Sequence, residues 1–129
     1  MLDTNVLISL ILFPSRKFNC MLEVIIREHT LVLSSFLVEE LIAVAKRKFP
    51  QKEYIIELFL SKLAYELVYT PQELKGRLFE IRDVKDYPVL YTASVEGADA
   101  LITGDKDFFN IDLKKPKILS PTQFCEKYL

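Results

Sequence analysis

Short apolar runs alternate along this chain with longer stretches in which apolar residues recur at helical spacing. Runs of ~4–8 apolar residues suit buried strands, whereas a 3.6-residue recurrence suits amphipathic helices. Met1-Leu2 is the stub of a first strand, and a helix is expected from about Asn5 to Phe13, where Pro14 interrupts it. A second helix is expected from about Arg16 to Arg27. Leu31-Val32-Leu33 predicts the second strand, and Ser34 or Ser35 caps a helix reaching about Lys48. Pro50 breaks that pattern. The next helix, Lys52 to Tyr65, carries Tyr54, Ile55, Ile56, Leu58, Phe59, Leu60 and Leu63. Glu66 to Tyr69 predicts the third strand, and Pro71 opens a helix to about Ile81. Asp86 caps another helix, with Pro88 in its first turn, that continues to Glu96 and is ended by Gly97. Ala100 to Thr103 and Ile118-Leu119 predict the fourth and fifth strands, and Pro121 starts a terminal helix to Tyr128.

Strands separated by helices imply a parallel sheet with helices on both faces. The expected fold class is therefore α/β, a three-layer α/β/α arrangement around a central, mostly parallel sheet of four to five strands. A first strand of two or three residues is short against the usual length of about five.

At 129 residues the chain fits one compact domain, 1–129, long enough to bury a core without disulfides or structural metal. Cys20 and Cys125 lie far apart in sequence and form no CxxC or Cys/His array, which points to packed thiols in a reducing cytoplasm. His29 is the single histidine and sits in a polar stretch near a helix end, which excludes a site built from several imidazoles. The apolar segment Val6 to Phe13 is too short to span a bilayer and has Asp3 in front of it, so neither a membrane span nor a secretion signal is expected there.

The candidate chemistry lies in the acids at the edges of the apolar runs. Asp3 closes Met1-Leu2, Glu40 follows the second strand, Asp86 starts a helix, and Asp105 and Asp107 follow the run Ala100 to Thr103. Active sites of open parallel α/β sheets lie beyond the carboxyl ends of the strands, where Asp3 and Asp105 fall. Each acid alone has a structural explanation: Asp3 and Asp86 as helix caps, Glu40 as a solvated helix residue, Asp107 as a surface acid. Together they would repel one another unless a cation or shared protons intervened. Oxygen-only donors suit hard cations, so Mg²⁺ or Mn²⁺ is expected rather than zinc. Such an ion can activate a water and neutralise a leaving oxygen at a phosphodiester. The formal charge of −1 conceals an asymmetry: setting these five aside from the 18 acidic residues leaves 13 against 17 basic ones. The remaining surface is mildly basic.

Leu2-Asp3-Thr4-Asn5-Val6-Leu7-Ile8-Ser9, Glu40-Leu41, Arg82 to Leu90, and Leu101-Ile102-Thr103-Gly104-Asp105-Lys106-Asp107-Phe108 follow in an order and spacing that resembles the PIN domain. The chain is most similar to the toxin-antitoxin PIN subfamily, which holds the VapC-type toxins, and the likeness extends to the closing Ile118 to Phe124. The resemblance implies a Mg²⁺- or Mn²⁺-dependent ribonuclease with Asp3, Glu40, Asp86 and Asp105 as the acidic quartet and Asp107 as an additional metal acid. It implies supporting roles for Thr4 and Asn5, which orient the first aspartate, and for Thr103, whose hydroxyl lines the pocket. It also implies an RNA substrate, single-stranded or structured, an antitoxin partner, and homodimer formation.

Arg82, Lys85 and Lys106 flank the proposed ligands and are positioned to grip phosphates. Phe108, Phe109 and Tyr87 are candidates for base stacking, with core packing expected of at least one phenylalanine. The apolar helix Lys52 to Tyr65 either faces a partner or covers the sheet. Two rival functions fit the residues less well than the nuclease. A haloacid-dehalogenase-type phosphatase needs a second aspartate two residues after the first, where this chain has Asn5. A PIN-like module that binds RNA or protein without cutting has no use for an intact acidic quartet. A PIN nuclease that processes RNA outside any toxin-antitoxin pair would look the same in sequence.

Overall fold

The computed structural model describes residues 1–71, 86–111 and 113–129. The expected helix from Pro71 to Ile81 falls outside them for all but its first residue. Six α-helices are seen among the described residues: α1 (Thr4–Leu12), α2 (Arg16–Glu28), α3 (Ser35–Lys48), α4 (Glu53–Lys62), α5 (Tyr87–Val95) and α6 (Pro121–Tyr128). Four three-residue strands accompany them: β1 (Val32–Ser34), β2 (Glu66–Val68), β3 (Ala100–Ile102) and β4 (Lys117–Leu119).

Local chemistry explains most of the boundaries. Ser15, Ser34 and Ser120 each accept a backbone N–H at the start of α2, α3 and α6, and Gln123 completes a reciprocal capping box with Ser120. Gly97 follows α5 at φ +68°, a left-handed conformation that costs a side-chain-bearing residue energy. A 3-10 turn at Pro50–Lys52 separates α3 from α4, so the apolar helix expected from Lys52 begins at Glu53.

The expected single sheet of four to five strands is corrected. Among the described residues β1 pairs in parallel with β2, and β3 with β4, giving two two-stranded sheets. The reason is the first strand. Among the described residues Leu2 forms only an isolated parallel bridge to Ile102, and no strand pairs with both β1 and β3. That bridge is nonetheless firmly bonded. The Asp3 N–H donates to the Ile102 carbonyl, the Ile102 N–H to the Met1 carbonyl, and the Met1 ammonium to the Ala100 carbonyl, all at 2.9 Å. Burial lowers the pKa of that ammonium to about 6, against the Asp99 carboxylate, which raises it.

The core runs through both sheets. Leu2, Leu7, Leu33, Leu37, Leu41, Leu90 and Leu101 are fully buried, and α1 packs on α2, α3 and α4. α4 contributes Ile56 to this core and leaves Tyr54 and Leu58 at the surface, so it both covers the interior and presents an apolar outer face. Among the described residues no helix is long and apolar enough to cross a membrane.

Ile56 and Leu58 therefore separate the two faces of α4. Ile56→Ala should cost about 2–5 kcal/mol by opening a core cavity, while Leu58→Ala should stay within about 0.5 kcal/mol. Urea denaturation of the two variants checks this, and equal losses would contradict the packing.

Candidate metal centre at the carboxyl edge of the strands

Asp3 is placed by two features that its neighbours dictate. Its backbone is bonded to β3, and its side chain caps α1 by accepting the Thr4 N–H at 2.8 Å. Its second carboxylate oxygen accepts the hydroxyl of Thr103 at 2.8 Å. Thr103 is fully buried, and its oxygen also accepts the Asp105 N–H at 3.0 Å. One hydroxyl thus links the first acid of the chain to the loop that carries the last two.

Asp105 in turn caps a 3-10 turn, Lys106–Asn110, by accepting the Asp107 N–H at 2.9 Å. Glu40, half-buried on α3, accepts the hydroxyl of Thr4 at 2.5 Å. Thr4 was expected to orient Asp3, and its backbone does so; its side chain holds Glu40 instead. Asn5, expected beside Asp3, is exposed, and among the described residues its side chain makes no hydrogen bond to Asp3.

Asp86 stands at the N-cap position of α5, the simplest structural role for it, yet its side chain makes no capping bond to the helix. Its backbone is helical rather than extended, φ −82° and ψ −15°, and one carboxylate oxygen is shut away from solvent. Asp86, Asp105 and Asp107 each offer a carboxylate oxygen, and these atoms all lie within 4.8 Å of one another. The three could hold a metal ion between them.

The acids also sense one another. Burial raises the pKa of Asp3 most, the bonds from Thr103 and Thr4 pull it down, and the negative charges of Glu40 and Asp105 push it up again. Asp3 is only 6% exposed, so a cation nearby would offset a real desolvation penalty. All five acids named from sequence are therefore brought to one region: three by direct grouping, and Asp3 and Glu40 through charge coupling and the two threonines.

Around this group, Lys106 is exposed, whereas Arg82 and Lys85 lie outside the described residues. Phe108 is fully buried and belongs to the core; Phe109 is exposed, and Tyr87 is half-buried against Tyr91. The 3-10 turn that sets Asp107 against Asp105 carries no proline or glycine that would announce it in sequence. Nor does any local pattern announce the bond from Thr4 to Glu40, which joins positions on different helices.

The shift at Asp3 has a measurable sign. A carboxyl whose pKa is higher folded than unfolded favours folding below its unfolded pKa, and that contribution is lost as pH rises through the folded value. The metal-free fold should therefore weaken relative to Asp3→Asn as pH climbs above the ordinary aspartate range, about pH 4. Thermal melts in EDTA should show Asp3→Asn melting above wild type at neutral pH, with the gap closing in acid. A variant that melts lower at neutral pH would contradict burial and repulsion as the dominant forces on Asp3.

Comparison with known proteins shows the family and the fold. No characterised protein in the curated set matches the chain in sequence. Among solved structures, the crystal structure of VapBC2 from Rickettsia felis bound to a DNA fragment from their promoter contains a similar chain, at 25% identity and a TM-score of 0.72. The match covers 93% of this chain and 96% of that one. The sequence profile of the PIN domain matches residues 1–107, from the bonded stub at Met1 through Asp107, and the chain belongs to the PIN domain family.

Proposed function

We propose that this chain is a metal-dependent endoribonuclease, a single PIN nuclease domain over residues 1–129, and the toxin half of a toxin-antitoxin pair. The observation that carries the reading is the convergence of five carboxylates on the carboxyl edge of the strands, with three of them close enough to share one ion.

The donor set fits a hard divalent cation. Among the described residues every candidate ligand is a carboxylate, with no histidine or cysteine in the group, so Mg²⁺ or Mn²⁺ suits it better than zinc. Asp86, Asp105 and Asp107 would hold the ion, with Asp3 and Glu40 completing the acidic wall. When bound, the ion supplies charge neutralisation at a phosphodiester and acidifies a water. The protein's own part is to hold these acids in place. Thr103 ties Asp3 to the Asp105 loop, and the Thr4 hydroxyl holds Glu40 at the start of α1. Lys106, exposed between Asp105 and Asp107, is positioned to meet a backbone phosphate, and Phe109 and Tyr87 offer rings for unstacked bases. Arg82 and Lys85 are proposed as further phosphate contacts on sequence position alone.

The toxin-antitoxin setting is supported by the structural likeness to VapBC2, a complex solved on a promoter DNA fragment. A surface for a protein partner is available. Leu22, Ile26, Ile55, Leu58, Phe59 and Leu63 line an apolar groove of about 420 Å³ between α2 and α4. Ile26 and Leu58 are exposed there, which suits an amphipathic helix of an antitoxin or a second copy of the chain. We place the protein in the cytoplasm, where RNA and such a partner meet.

Cleavage of a mixed-sequence single-stranded RNA by wild type and Asp86→Asn, in Mn²⁺, Mg²⁺ or EDTA, tests the reading. Asparagine serves a helix N-cap as well as aspartate does but is a poor ligand for a hard cation. Wild type should cut with metal and not in EDTA. Asp86→Asn should lose activity by at least about 10²-fold while melting as a folded protein. Folded wild type, free of inhibitor, that cuts with neither ion would overturn the proposal.

A further inference from the structure

Among the described residues the buried polar side chains are those of Asp3, Thr4, Ser34, Thr92 and Thr103. Asp3, Thr4 and Thr103 belong to the acidic site, and Ser34 caps α3. Thr92 remains, within α5, the helix that Asp86 leads into. Val89, Leu90, Tyr91 and Ala93 are buried around it. Apolar packing of this kind holds a helix down but has no direction of its own. A buried hydroxyl with defined partners supplies one.

The Thr92 hydroxyl lies 2.8 Å from the Pro88 carbonyl, one turn back in the same helix, and 2.9 Å from the Thr70 hydroxyl just beyond β2. It carries one proton and the carbonyl can only accept, so Thr92 donates to Pro88 and Thr70 donates to Thr92. The bond to Pro88 alone is the ordinary back-bond of a threonine in a helix. The bond to Thr70 is different, since it joins residues 22 apart in the chain. The Thr70 N–H donates in turn, at 2.9 Å, to the hydroxyl of Ser35, the first residue of α3. A chain of neutral groups therefore runs from the start of α3, which carries Glu40, to the first turn of α5, which follows Asp86.

We propose that Thr92 is a positioning residue of the acidic site, bracing α5 against α3 through Thr70 and Ser35 and so fixing where Asp86 meets Asp105 and Asp107. This rests on the reading that those three acids hold a divalent cation. Asp86 enters α5 with helical backbone angles, φ −82° and ψ −15°, so it moves with that helix. At about 1.5 Å per residue, Thr92 lies about 9 Å along the axis from it. A helix this short is stiff, and a slide at Thr92 is carried whole to its amino end. Ligand distances in a metal site hold to within about 0.2 Å, so even a small slide there is felt as lost affinity.

The test measures two properties of the full chain: Mn²⁺ affinity, and the carboxyl carbon NMR resonance of Asp86 in metal-free protein. Thr92→Val removes the hydroxyl and keeps the branched shape. It should weaken Mn²⁺ binding about tenfold and move the Asp86 resonance. Thr92→Ser, which keeps the hydroxyl, should match wild type in both. Thr70→Val should reproduce the loss, and the double variant should bind no worse than either single one, because all three lack the same bond. Ile56→Val, which trims the core under α4, should lower Tm and leave affinity and resonance unchanged. A folded Thr92→Val protein with wild-type affinity and resonance overturns the proposal and leaves the cation site standing. So does a Thr92→Ser or Ile56→Val protein that weakens binding as much as Thr92→Val does. Wild type that binds no Mn²⁺ overturns the cation site itself, and the role of Thr92 with it.

Discussion

The hydroxyl of Thr103 accepts from one acidic residue's backbone and donates to another's carboxylate, and the rest of the site depends on that pair of bonds. Asp3 is buried beside Glu40 and Asp105, whose negative charges disfavour its own ionisation. Left to electrostatics, these side chains would separate. The threonine prevents this cheaply: a buried neutral hydroxyl satisfied on both sides adds no charge and costs little desolvation. Thr4 repeats the device for Glu40. Asp3 and Glu40 are thus each held by a neutral threonine hydroxyl, which leaves their negative charge available to a divalent cation.

The short strands position the first acid through the bonded stub Met1 to Asp3. At their carboxyl ends, the bond from Asp3 to the Ile102 carbonyl aims the first acid into the site. Whatever stiffens Met1 and Leu2 therefore steadies Asp3, which follows them directly. Packing reinforces this coupling, since Leu2 and Leu101 are both fully buried beneath α1 and its neighbours.

Much of this was legible in the residues. Helices α2, α3, α5 and α6 follow from serine and proline starts and a glycine stop, signals that act within a turn or two of the chain. The five acids stood out because carboxylates beside apolar runs are costly without a reason. What sequence did not reveal depends on distance. Continuity of the sheet depends on whether Leu2 reaches β1, a question about neighbours some thirty residues apart along the chain. The bond from Thr4 to Glu40 and the fit of Asp107 against Asp105 likewise arise from how helices and a 3-10 turn settle, and no local pattern encodes them. Phe108 and Phe109 make the same point: adjacent and chemically identical, one is wholly buried and the other exposed.

The central claim is that the clustered carboxylates form a cation site, and direct binding tests it without reference to any substrate. Purified chain, stripped with EDTA and exchanged into metal-free buffer, would be titrated with Mn²⁺ while the paramagnetic signal of the free ion is followed. The account predicts saturable binding by wild type, competition by Mg²⁺, and loss of that binding in Asp105→Asn with the fold retained. Wild type that leaves the free-ion signal undiminished, or Asp105→Asn that binds as wild type does, would contradict it.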